Sequence, residues 1–269
     1  MNKKISCLIA GILIIILAFS TVGCGNKELE KKPDNSASAQ TPPADLEKMR
    51  KGLLELGVML EKRRNVNSGA DNSEQQEKID LPSQDTAGDK SSSGTSEWKE
   101  EMDKVRSLHR HWNGLEPEAV AKGLSATVQS NLEESLALLT SSVENRRPLE
   151  AELAANQTFR NYIEVARLFK TNIPANLERV RYHIVESRLQ SNMGSWDKAE
   201  EEARQSLTIW QRTAYSLEKI QRAQISQMEH SLTDLVEAVQ KKSSILTEIK
   251  SEIALDNLEQ LEKKIKALF

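Results

Sequence analysis

Between Asp45 and Arg64 the apolar residues Leu46, Met49, Leu53, Leu56 and Leu60 recur at steps of three and four, the period that lines up side chains on one face of an α-helix. Asp45 stands where an N-cap is expected. The period returns at Ser96, after which Trp98, Met102, Val105, Leu108 and Trp112 share a face and Glu100 and Glu101 suit the positive end of the helix dipole. Asn113-Gly114 predicts a stop there, and Pro117 a restart at the first position of a new helix. That second helix carries Val120, Leu124, Val128, Leu132, Leu136, Leu139 and Val143 as far as Arg147-Pro148. A third shows Leu153, Phe159, Ile163, Ala166 and Phe169, and a fourth runs from Pro174 through Leu177, Val180, Ile184 and Val185 to Gly194. Prolines 117, 148 and 174 thus punctuate helices long enough to pair as hairpins.

Beyond Gly194 there is neither Gly nor Pro. Ser195 is placed to cap a helix with Trp196, Ala199, Ala203, Leu207 and Trp210 on its face, and the apolar pattern continues from Leu217 through Leu232, Leu246, Ile249 and Ile253 to Leu268. This predicts a bundle over 96–213, followed over 214–269 by a long helix or coiled-coil hairpin, with breaks expected near Ser243-Ser244 or at Asp256. Trp98 to Trp112 and Trp196 to Trp210 share a spacing of fourteen residues, which is four helical turns and reads as core packing. Composition agrees with helices throughout: aromatic residues are only 4%, and Ala, Leu, Glu, Lys, Gln and Arg dominate after Ser96. The expected fold class is all-α, an antiparallel helical bundle or repeat-like helical hairpins with a long C-terminal helix or coiled coil.

Two stretches lack any burial pattern. Residues 24–44 hold Lys, Glu, Ser, Ala and Pro and read as a flexible tether, able to span about 25 Å as a coil. Residues 65–95, rich in Ser, Asp, Asn, Gln and Gly, read as a disordered linker, from which the amphipathic helix of 45–64 is expected to reach back and dock on the main bundle; the alternatives are self-association and a membrane-surface role, the latter disfavoured by the interleaved Glu47, Glu55 and Glu61 and the lack of an aromatic anchor.

Ahead of the tether, Lys3 and Lys4 precede a nearly continuous apolar run from Ile5 to Val22, the plan of an export signal over residues 1–23. An uncleaved anchor is the alternative, since about 18 apolar residues just span a bilayer. The run closes on Ser20-Thr21-Val22-Gly23-Cys24, which resembles the lipobox of bacterial lipoproteins, although Thr21 stands where Leu is usual. The resemblance implies cleavage after Gly23 and a lipid on the Cys24 thiol, hence attachment to the extracytoplasmic face of the cell membrane. Acyl chains contribute about 0.8 kcal/mol per buried methylene, so two or three of them anchor durably. Cys7 would leave with the leader and Cys24 would be acylated, so no disulfide is expected. Losing Lys3 and Lys4 takes the formal charge from −3 to −5, which gives no electrostatic reason to expect a nucleic-acid partner.

Gly194-Ser195-Trp196-Asp197-Lys198-Ala199, with Ala203 and Leu207, resembles the turn and second helix of a tetratricopeptide repeat, which implies a repeat-like helical hairpin. Taken with the lipobox, His109-Arg110-His111-Trp112-Asn113-Gly114-Leu115-Glu116-Pro117 and Trp196-Asp197-Lys198-Ala199 resemble uncharacterised helical lipoproteins of Gram-positive bacteria, a likeness covering roughly Trp98 to Trp210. His183 and Glu186, one helical turn apart, resemble the His-x-x-Glu of imelysin-like iron-uptake lipoproteins and are the candidate metal ligands. His109 and His111 point about 200° apart on a helix and do not share an ion; His230 has no evident partner. No Gly-x-Ser-x-Gly elbow, Gly-rich phosphate loop or free thiol is present. The expectation is therefore a non-enzymatic surface lipoprotein, with no cofactor. Its helical domain would bind a protein or cell-envelope partner through interhelical grooves and the first helix, and its oligomeric state is left open. The alternative is a metal- or ligand-binding lipoprotein associated with uptake, using His183 and Glu186.

Overall fold

The computed structural model describes residues 42–73, 98–217 and 220–268, with side chains of the first helix described as far as Val66. The leader, Cys24 and the tether up to Thr41, with 74–97 of the expected linker, lie outside the described residues. Within them are eight helices and no strand: α1 Ala44–Ser73, α2 Lys99–Ala121, α3 Ala126–Glu144, α4 Pro148–Ala166, α5 Ala175–Asn192, α6 Trp196–Ala214, α7 Arg222–Gln240 and α8 Ser244–Lys266. All belong to one unit, Gln40–Phe269. The class is all-α, built largely of helical hairpins. None of the described helices is long and apolar enough to cross a membrane.

Short turns join α3 to α4, α5 to α6 and α7 to α8, and each pair packs closely, as the loop lengths require. The stripe Leu46, Met49, Leu53, Leu56 and Leu60 of α1 is at most 3% exposed and seats that helix on α2 and α4. Two apolar cores result. One joins α1 to α4 and includes Trp112, Phe159 and Tyr162; the other joins α5 to α8 around Trp210. α5 serves both, with Tyr182 in the first core and Leu177, Val180 and Ile184 in the second. Because α5 also packs on α8, the last hairpin folds back beside α5.

Several local expectations are corrected. The stop at Asn113-Gly114 does not occur: α2 continues through Pro117 to Ala121, since Leu115 and Ala119 extend its buried stripe. Gly114 meets a different demand, because a Cβ there would lie 2.7 Å from Asp45 Oδ2. The turn comes instead at Gly123, whose φ of 93° is accessible to glycine without strain, and Ser125 Oγ then caps α3 by accepting from the Val128 N–H at 3.3 Å. Val120, expected in the core, consequently faces solvent.

Residues 65–73, expected to open the linker, form the last turns of α1. Elongating an existing helix adds one hydrogen bond per residue and needs no further burial, and Val66 is indeed exposed. Of the two forms expected for the C-terminal run, it takes the hairpin, α7 packed on α8, and not one long helix: α6 ends at Ala214 and α7 begins at Arg222. The turn at Lys241–Ser243, where Lys242 adopts φ 51° and Ser243 Oγ accepts from the Leu246 N–H at 3.3 Å, falls at the break expected near Ser243-Ser244, whereas the one expected at Asp256 does not occur, since that residue lies within α8. On α8, Leu246, Ile249 and Ile253 were expected inward but are exposed, while Thr247, Ser251, Ala254, Leu258, Leu261 and Ile265 are buried. Small residues at 247, 251 and 254 let α8 approach its neighbours closely, which a row of isoleucines would prevent.

Leu258→Ala should therefore cost about 2–5 kcal/mol, whereas Ile249→Ala should stay within about 0.5 kcal/mol of the parent. Urea unfolding of both variants checks this, and equal losses would mean that the apolar periodicity, rather than the described packing, identifies the buried face.

Candidate functional site

Beside its core stripe, α1 presents a second face carrying Arg50, Leu54, Gly57, Val58 and Glu61. These residues, with Ala155 and Phe159 of α4, Val185 of α5 and Leu255 of α8, line a cleft of about 740 Å³. Such a volume lies in the range of ligand sites. Its walls are apolar, but its floor is charged.

Arg50 donates from Nη2 to Glu178 Oε2 at 3.2 Å and to Glu262 Oε2 at 2.7 Å, and its Nε also pairs with Glu178. Glu262 is shared, since its Oε1 accepts from Arg181 Nη2 at 2.9 Å. A second network lies further along α1. There Arg64 donates to Glu152 at 2.9 Å and Glu248 at 3.0 Å, while Arg188 donates to the other Glu152 oxygen at 2.6 Å and pairs with Glu61. These groups come from α1, α4, α5 and α8, and Arg188 and Glu152 are only 3% and 2% exposed. Arg181 and Arg188, seven residues apart on α5, each keep a buried Nε–H without an acceptor.

Burial and pairing oppose each other here. Burial alone would lower the Arg50 pKa, but Glu178 and Glu262 hold it above the ordinary value. Desolvation dominates at Glu178 and Glu61 and raises both, despite Arg50 beside the first and Arg188 beside the second. At Glu262 and Glu248 desolvation is outweighed, by Arg181 and Arg50 for the former and by Arg188 and Arg64 for the latter, so both lie below the usual carboxylate value. Each network thus holds one carboxylate that resists ionisation and one that favours it.

The sequence candidates fall elsewhere. Cys24 lies outside the described residues. His183 and Glu186 share α5 but have separate partners: His183 Nδ1 is 2.5 Å from Glu202 Oε2, whereas Glu186 accepts from Asn156 Nδ2 and Gln190 Nε2, each at 2.8 Å. His109 reaches Thr140 Oγ1 at 2.9 Å, and His230 is exposed. His111 has the most suggestive surroundings, with Asp45 Oδ1 3.0 Å from Nδ1 and Ser107 Oγ 3.1 Å from Nε2. The order Ser107, His111, Asp45 has the hydrogen bonds of a nucleophile, base and orienting acid. Ser107, however, lies within α2, where neighbouring amides are engaged in the helix and cannot form an oxyanion hole, and the cleft does not extend to it. This arrangement joins α1 to α2.

Among the described residues, Glu61, Glu248 and Glu252 bring carboxylate oxygens within 4.8 Å of one another, close enough to share a cation. Arg188 and Arg64 already neutralise the first two. The trio is therefore an edge of the ion-pair network.

Sequence reasoning missed this network because arginine and glutamate on a helix ordinarily mark its solvated face. One signal was available: Glu178, Arg181, Val185 and Arg188 follow the helical period on α5, beside the apolar stripe.

Glu152→Ala leaves the buried Arg188 and the partly buried Arg64 each short of a carboxylate and should cost about 3–5 kcal/mol. Arg204→Ala, which removes an exposed pair with Glu200 on α6, should change stability by under about 1 kcal/mol. Chemical denaturation of the two variants tests the contrast. The opposed carboxylate shifts also predict a stability maximum on the acid side of neutrality. Below the ordinary value of 4.5 the unfolded chain binds the protons that native Glu248 and Glu262 refuse, so stability falls with acidification. Above 4.5 native Glu61 and Glu178 retain protons that the unfolded chain has lost, so their contribution declines as pH rises through their raised values. A melting-temperature profile should decline on both sides, with the upper limb flattened in Glu178→Gln. Compared with protein-family models, with curated proteins and with solved structures, the chain matches none.

Proposed function

We propose that this chain is a non-enzymatic lipoprotein, held by a lipid on Cys24 at the extracytoplasmic face of the cell membrane, which binds a protein or cell-envelope component in the cleft between α1, α4, α5 and α8. The observation that carries the reading is the cleft itself: apolar walls over a floor whose charged groups are engaged with one another. Mutual pairing suits a rigid binding surface better than acid–base catalysis, which requires a proton-transferring group directed at the substrate. The lipobox ending at Cys24 supports the location, and the tether over 24–44 would let the cleft stand away from the headgroups.

Cys24→Ala should abolish acyl mass on the protein and leave an uncleaved precursor; a processed, acylated product would remove the anchoring claim. A photocrosslinking amino acid at Val58, on the cleft wall, should capture an envelope component in intact cells. The same probe at the exposed Tyr215 should not. Equal capture from both positions would count against the cleft as the contact surface.

A further inference from the structure

We propose that the occupant of the cleft is a single-chain amphiphile with an anionic head, such as a long-chain fatty acid. The inference deepens the preceding reading and rests on the cleft being the binding site.

The walls determine what the buried part of an occupant can be. They are helices, whose interior N–H and C=O groups bond along their own axis, and they present Leu54, Val58, Phe159, Val185 and Leu255 to the cavity. An extended peptide would bring a donor and an acceptor per residue, and such a surface leaves them unmet. The floor offers few compensating partners, because its carboxylates are bound to guanidiniums. A hydrocarbon chain needs no hydrogen-bond partners and fits the volume.

Gly57 points the same way independently. α1 contains two interior glycines before Val66, each weakening the helix relative to alanine. Gly52 is explained by packing, since a Cβ there would lie 3.0 Å from Leu108 Cδ2. At Gly57 a Cβ would meet nothing within 4 Å, and the residue lines the cleft. A helix-weakening residue that no neighbour requires thus opens the wall where an occupant would approach the backbone.

The rim supplies the head-group site. Lys104 of α2 and Lys263 and Lys266 of α8 line the cleft. Lys104 pairs with Glu55 and Lys263 with Glu259, while Lys266 has no ion pair among the described residues. A carboxylate or phosphate at the last turn of α8 would meet Lys266, the one of these three lysines that no acid already neutralises among the described residues.

The test is photolabelling of the full-length chain in native membrane vesicles with diazirine-bearing palmitic acid, followed by peptide mapping. Adducts are expected on the peptides holding Leu54, Phe159 and Leu255. Gly57→Trp, which fills free space and should keep the parent's circular dichroism and melting temperature, should reduce those adducts at least tenfold. Lys263→Glu with Lys266→Glu should reduce them severalfold, and a diazirine hexadecanol of the same chain length should label severalfold less than the acid. Competition by unlabelled palmitate against a lysophosphatidic acid distinguishes a carboxylate head from a phosphate head. Undiminished labelling in Gly57→Trp, or adducts confined to other helices, overturns the proposal. If the cleft takes no palmitate label yet the Val58 photocrosslink captures a protein that Gly57→Trp abolishes, the amphiphile is excluded and the partner-binding reading stands. If Gly57→Trp affects neither experiment, both fall.

Discussion

The structure depends on pairing charges that have been taken out of water. Arg50, Arg188, Glu152, Glu178 and Glu262 are nearly sequestered from solvent, and each ion buried alone would cost several kcal/mol. The cost is offset only when the partners, which come from α1, α4, α5 and α8, stand in place together. Removing any one helix leaves charges unmet on the others. The networks therefore select one arrangement of the helices, whereas the apolar stripes alone tolerate several.

The same constraint accounts for the cleft. An apolar cavity between four helices would ordinarily shrink as side chains closed on it, because interiors pack densely. Here the arginine and glutamate side chains fill the floor and hold α1 across from α5 and α8, so the walls above do not meet. Gly57 widens the opening by withholding a side chain. The apolar walls and polar floor are two outcomes of one arrangement: α1 uses its leucine stripe to join the first core and its adjoining polar face to reach α5 and α8.

Seen this way, α1 has a larger part than that of a helix carried on a leash. Its pairing with α5 and α8 makes it a wall of the proposed site, and its first turn is tied to α2 through Asp45 and His111. An occupant of the cleft would touch α1 and the last hairpin together, so binding would reinforce the contact between the two ends of the described fold.

Much of the fold was legible in the residues alone. The all-α class, the core stripe of α1 and the prolines that open α4 and precede α5 follow from helical periodicity and from what proline does to backbone hydrogen bonds, both properties of the local chain. The stretch closing on Cys24 is legible only as a motif and lies outside the described residues. Local rules could not decide the continuation of α2 through Gly114 and Pro117, because Gly114 answers to the approach of Asp45, sixty-nine residues earlier. Nor could they identify the buried face of α8, where small residues at 247, 251 and 254 displaced the isoleucines once neighbouring helices came close. The cleft was beyond them for the same reason. Arginine and glutamate carry the same helical signature whether they face water or one another, and only the meeting of α1, α4, α5 and α8 made these residues the floor of a site.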